Sequence, residues 1–348
     1  MNTITPRNRL LAAAKKLPVD RPPCICPGGM MNMVFQEIME ESNCPWPGAH
    51  TDPQKMAGLT FALNEAGGFE NYGLPFCMTV EAEAMGATVN LGNLFFEPHV
   101  LESPLNSSAE ADLLRPLDVD AGRARVVIDA IKLLKAAGTD VPIIGNLTGP
   151  VSTAGTLVDM SILLKEFRKK PAEAQRLMEY MVINLVKFGQ AQIQAGADAI
   201  CISEPSGTGE ILGPQLFRDY TLKYINQLMD ALDDAPVKIV HICGVLKSVY
   251  HIIPEFNCDV FSVDSIVGLD EIKKFIPNKA VMGNINTHAL AVMPPEKIAK
   301  LTRYAISRGA DIVAPACGLS TTTPLLNVQT MVRTTIAESE SARRKSGE

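Results

Sequence analysis

From about residue 141 onward the chain repeats one pattern, a short and almost wholly apolar run followed by a longer amphipathic stretch. Residues 141–147 precede helical sequence at 172–195, residues 197–204 precede 214–233, and residues 237–243 precede 246–253. The same order returns as 260–264 with 270–275, 280–284 with 295–307, and 310–316 with 325–338. Apolar runs without polar alternation are strands buried on both faces, and helical crossovers make such strands parallel. The expected fold is therefore α/β, a (β/α)8 TIM barrel closed within one domain. An open doubly wound sheet is the alternative, and it usually carries a Gly-rich phosphate turn after its first strand. No such turn is found, and Gly207-Thr208-Gly209 is too short to serve.

The amino-terminal third is less regular. Residues 5–16 read as an opening helix, with Thr5 as cap and Pro6 at the first helical position. Residues 22–118 are rich in Gly, Pro and Met and read as the first barrel strands with helical and loop insertions. The domain is expected to span 1–338, and 339–348 to be a polar tail that frays. With 47% hydrophobic and 20% charged residues the chain can bury a large core, which excludes a disordered or fibrous class. A net charge of -6 lacks the basic face that phosphate backbones need, so nucleic acid is not an expected partner. The first residues lack a signal-peptide pattern and no apolar stretch approaches the ~20 residues of a membrane span, so a cytoplasmic protein without a membrane partner is expected.

In a reducing compartment, eight cysteines are hydrophobes or ligands rather than disulfides. Two of them stand out. His241 and Cys243 close an apolar run and, at a spacing of two on an extended chain, share one face. Cys317 closes another run far along the chain. Imidazole and thiolate are good zinc donors, so His241, Cys243 and Cys317 are candidate ligands. Cys24 and Cys26 form a weaker competing pair. Asn146, Glu204, Asp264, Asn284 and Asn286 also fall at or just past strand ends, where a barrel builds its active site. Glu204 is the candidate fourth ligand, the alternative being a solvated or ion-paired carboxylate. Asp264, Asn146 and Asn284 are candidates for orienting the reactants, the alternative being loop capping. Zinc held by two thiolates is a poor Lewis acid for hydrolysis and better suited to holding a substrate thiol as thiolate.

Three further segments carry a resemblance: Arg9 to Lys15 with Pro18 to Pro22, Pro75 to Gly86, and Cys317-Gly318 with Thr323 to Val328. With them, and with His-x-Cys followed by a distant Cys, nearly the whole chain resembles the uroporphyrinogen decarboxylase superfamily, in its branch of methylcobalamin:coenzyme M methyltransferases. The resemblance implies a TIM barrel holding Zn2+ that moves a methyl group from a methylated corrinoid to a thiol such as coenzyme M. His241, Cys243 and Cys317 would be the metal ligands. Glu204 would be a displaceable fourth. The decarboxylases' Arg-Gln-Ala-Gly-Arg motif is replaced here by Pro27-Gly-Gly-Met-Met-Asn-Met33, and no Asp stands near Phe76-Cys77, so decarboxylation is disfavoured. The remaining alternatives are another acceptor such as tetrahydrofolate, decarboxylase-like activity on another substrate, and a non-catalytic zinc adaptor for corrinoid proteins. His241-Ile-Cys-Gly244 partly matches a corrinoid-binding Asp-x-His-x-x-Gly motif, but Ile239 stands where that motif needs Asp. The corrinoid is therefore expected on a separate protein.

Overall fold

The computed structural model describes residues 4–346. Its strands in chain order are β1 (Tyr72–Leu74), β2 (Thr88–Asn90), β3 (His99–Glu102), β4 (Ile143–Thr148), β5 (Ala199–Ser203), β6 (Lys238–Ile242), β7 (Val260–Val263), β8 (Ala280–Ile285) and β9 (Ile312–Pro315). β2 and β3 form a separate antiparallel hairpin. The other seven make one parallel sheet in the order β1-β4-β5-β6-β7-β8-β9. Each neighbour is thus the next strand in the chain once the hairpin is set aside, which is the winding of a βα barrel. β4, β5, β7 and β9 are buried along their whole length, as strands covered on both faces must be.

Residues 23–26 span the gap between β9 and β1. The Ile25 amide donates to Val313 O at 3.0 Å and the Val313 amide to Pro23 O at 2.9 Å. On the other side the Glu70 amide donates to Cys24 O at 2.9 Å, and the Cys26 amide to Asn71 Oδ1 at 3.0 Å. This bridge-length segment stands in the eighth position of the expected barrel. It precedes β1 in the chain, so the insertions of the amino-terminal third are hung on the first strands. The Arg9 guanidinium, buried between Asp20 and Glu70, ties the opening helix Pro6–Ala14 to the same edge.

Helices follow the strands as the periodicity predicts, with Pro171–Ala195 and Pro295–Ser307 the closest matches. Gly213 is non-helical, so the stretch beginning at Pro214 starts a new run that continues through a wide turn at Phe217–Leu222 into Lys223–Ala231. Residues 246–253, expected as one helix, form two short 3-10 turns, Lys247–Val249 and Ile253–Glu255. Pro254 lacks the amide that a continuing helix would use there. Residues 270–275 yield only the turn Leu269–Ile272. The final helix runs from Leu325 to Ser346 and takes in most of the segment read as a fraying tail. Among the described residues, no helix is long and apolar enough to cross a membrane.

Candidate metal centre at the carboxyl ends of the strands

Parallel register puts the first pieces together. β6 and β7 pair with His241 opposite Ser262, and β5 and β6 pair with Ser203 opposite His241. Register partners present their side chains on one face, and His241 Nδ1 lies 2.9 Å from Ser262 Oγ, both groups fully buried. That contact fixes the ring and leaves Nε2 facing outward along the strand. Nε2 lies 2.9 Å from Cys243 Sγ, two residues on. Cys317, just past β9, completes the group with its Sγ 3.5 Å from that of Cys243. The backbone brings it there because the Ala316 amide donates to Ile285 O at 2.8 Å, continuing the β8–β9 ladder past Pro315.

The three donor atoms lie within 4.8 Å of one another. Ligand atoms around a tetrahedral zinc stand roughly 3.5–3.8 Å apart, from Zn–S bonds of about 2.3 Å and Zn–N bonds of about 2.0 Å. The donor set and the 3.5 Å between the two sulfurs fit zinc, the imidazole and Cys243 stand at hydrogen-bond distance, and Ser262 is placed to supply the outer hydrogen bond that orients a metal-binding imidazole. The electrostatics agree. The Cys317 thiol is held below its ordinary range by the hydrogen bond from Cys243 and by His241 beside it, and the Cys243 thiol is pushed up by sharing its proton with Cys317 and by burial. The two shifts run in opposite directions because the sulfurs share one proton between them. The remaining cysteines do not compete. Burial raises Cys24 and Cys26, Cys26 Sγ donates to Met31 O, and among the described residues the His241–Cys243–Cys317 group is the one cluster of metal-binding side chains.

Glu204 departs from its expected place as fourth ligand. Its amide donates to His241 O at 2.9 Å, so the strand ends are neighbours, but its side chain turns away. The carboxylate accepts from the amides of Val151 (2.9 Å), Ser152 (2.9 Å) and Gly207 (3.0 Å) and from the Ser152 hydroxyl. The Val151 and Ser152 amides are orphan amides at the start of the helix Pro150–Leu157, whose own cap residue, Gly149, offers no side chain. A Cβ on Gly149 would collide with this carboxylate. Burial pushes Glu204 up to about 6. It is a buried helix cap.

Asp264 stands closer to the cluster. Its Oδ2 accepts from the Gly244 amide at 3.2 Å, next to Cys243, while Oδ1 accepts from Ser265 and Ile266. Asn284 Nδ2 donates to Asp264 O and Val267 O at 2.9 and 2.8 Å and holds that loop. Asn286 caps the helix Thr287–Val292. Asn146 is buried and ties β4 to Pro27 O and Leu74 O. These placements match the loop-capping alternative for Asn146 and Asn284.

Two neighbours of the cluster went unread in the sequence. Glu97, before β3, is pushed up to about 7 by burial and by the nearby Cys317. Met30 Sδ lies 3.7 Å from Cys317 Sγ. Neither falls at a strand end of the regular repeat, which was the only signal available. Around the cluster, the loops expose Phe95, Phe96, Ile211, Val245 and Ile266, and the hairpin bearing both phenylalanines is tied down by the Thr321 hydroxyl to Phe95 O at 3.1 Å. A cavity of about 720 Å³ lined by Ala13, Arg21, Arg303 and Thr335 lies at the opposite end of the barrel, near where β9 begins.

The family model for uroporphyrinogen decarboxylase matches residues 5–337. The chain is 33% identical to a methylcobamide:CoM methyltransferase, MtaA, of Methanosarcina barkeri, covering 95% of this chain and 98% of that protein. It is 30% identical to a methylcobamide:CoM methyltransferase, MtbA, of Methanosarcina acetivorans, covering 95% and 98%. Among solved structures, a methyltransferase from Methanosarcina mazei superposes with a TM-score of 0.89 at 31% identity, covering 96% of this chain and 99% of that one.

Proposed function

The chain belongs to the uroporphyrinogen decarboxylase family, and from that premise we propose a zinc-dependent transfer of a methyl group from a protein-held methylcorrinoid to the thiol of coenzyme M. The activity is of the methylcobamide:CoM methyltransferase type, in line with relatives matched over nearly the full length. The observation that carries the reading is the convergence of His241, Cys243 and Cys317 at one point past the strand ends. Zinc bound there supplies a Lewis acid that lowers the pKa of an incoming thiol and fixes its sulfur.

The chain's own groups do the rest. Ser262 holds the His241 ring, Asp264 fixes the backbone that follows Cys243, and Gly318 allows the Cys317 loop to pack closely. The acceptor thiol releases its proton, its sulfur attacks the methyl carbon, and the carbon–cobalt bond breaks with its electron pair staying on cobalt as cob(I)alamin. Holding sulfur and methyl carbon in line replaces a bimolecular encounter. The apolar side chains of Phe95, Phe96, Val245 and Ile266 around the site suit a donor that arrives from outside on a corrinoid protein. Decarboxylation has no support from residues 27–33, which bring no cation to receive substrate carboxylates.

The test is a methyl-transfer assay with zinc-loaded protein, methylcobalamin and coenzyme M, following cob(I)alamin in the visible spectrum. Transfer that requires zinc and is lost in Cys317→Ala is the expected result. Equal rates with and without zinc would sink the reading.

A further inference from the structure

Tetrahedral zinc takes four donors, and His241, Cys243 and Cys317 offer three. Among the described residues no further His, Cys, Asp or Glu joins the cluster, and the Glu204 carboxylate is engaged by Val151, Ser152 and Gly207. A fourth soft atom does stand beside it. Met30 Sδ lies 3.7 Å from Cys317 Sγ, and two sulfurs on one tetrahedral zinc are about 3.8 Å apart, given Zn–S bonds of about 2.3 Å. The Cys243–Cys317 separation of 3.5 Å is of the same size.

We propose that the Met30 thioether is the fourth donor of the site, a weak neutral ligand that holds the position of the acceptor thiol until the thiol displaces it. The proposal rests on the zinc reading above and adds the residue that makes the site exchangeable. The local fold places Met30 for this. Met31 and Met33, which follow it, are fully buried in the core, whereas Met30 is half-buried. Its loop is locked to the Cys317 loop: the Leu319 amide donates to Asn32 O at 2.7 Å, and Asn32 Nδ2 donates to Leu319 O at 3.1 Å. Gly318 lies so close that an added Cβ would come within 2.7 Å of Met30 O. The two sulfurs are therefore held by backbone as well as by contact.

The chemistry favours a thioether over a carboxylate here. Two thiolates already neutralise the metal, so a carboxylate would make the site anionic and oppose the acceptor's sulfur, a third anionic one. A thioether adds no charge and binds weakly. In the exchange the acceptor's S–H bond breaks, its proton goes to solvent, its sulfur takes the fourth position, and Met30 Sδ withdraws with its lone pair.

X-ray absorption at the zinc edge tests this on zinc-loaded wild type and Met30→Leu, with metal content measured on the same samples. Leucine nearly fills the volume of methionine, so the fold is kept. Wild type should show three sulfurs and one nitrogen, and the variant two sulfurs with an extra light atom. Coenzyme M should leave wild type at three sulfurs and raise the variant from two to three. Zinc-loaded wild type with two sulfurs, or thiol-free Met30→Leu with three, overturns the role of Met30 and leaves the zinc reading standing. Wild type that takes up no zinc overturns both.

Discussion

His241 is gripped at both ring nitrogens, by Ser262 on one side and by Cys243 on the other, so its ligand atom is aimed before any metal arrives. Ser262→Ala should weaken zinc binding by about 10–100-fold, as loss of an outer partner generally does, in competition against a chromophoric chelator; unchanged affinity would make the serine a bystander. Cys243→Ala and Cys317→Ala should each fall well below the roughly one zinc per chain expected of wild type, as elemental analysis would read. Glu204 predicts a pH effect instead. Burial raises it from 4.5 to about 6, so between those values the folded chain holds a proton that the unfolded chain has lost. This group's contribution then falls as pH rises through that window, by about 2 kcal/mol, and is flat above it. Denaturant midpoints from pH 4.5 to 7 should show that slope in wild type and lack its Glu204 share in Glu204→Gln. The His-x-Cys pair was legible because period two is a property of any strand. Ser262 became visible only once β6 and β7 were in register. Glu204 misled because strand-end position tells where a residue starts and not which way its side chain turns.

At the scale of elements, apolar runs placed β4 through β9 closely, because buried parallel strands are mostly apolar along their length, with only isolated polar residues such as Asn146 and Ser262 inside them. β1, three residues long, and residues 23–26 carry too little pattern to be read singly, and the β2–β3 hairpin is too exposed to show any alternation. Short helices were read too long at residues 246–253 and 270–275, since a brief amphipathic stretch looks alike whether it makes one turn or three. The junction that matters most is between the loop of Met30 and the loop of Cys317. Gly318→Ala forces Met30 O and the new methyl apart, and overpacking of this kind costs about 1–3 kcal/mol. A lowered melting temperature together with faster zinc loss to a chelator is expected; normal zinc retention would show that the two loops are not coupled.

For the whole molecule, the sequential strand order made the barrel legible without any one strand being certain, since helical crossovers between buried strands leave few topologies. Under the proposed function the corrinoid is expected to arrive on a separate protein. Ile239 stands where a corrinoid-binding loop would need an acid, so purified protein should be colourless. A stoichiometric corrinoid in its absorption spectrum would contradict delivery by a separate protein. The closing segment has a consequence for how the molecule is made. Cys24 bridges Val313, so the ring cannot shut until its last strand has left the ribosome, and Cys317 follows only four residues later. Contacts so distant along the chain form slowly. A nascent chain therefore waits, barrel open and candidate ligand set incomplete, until residue 317 has emerged, and metal uptake is expected only after the ring has shut.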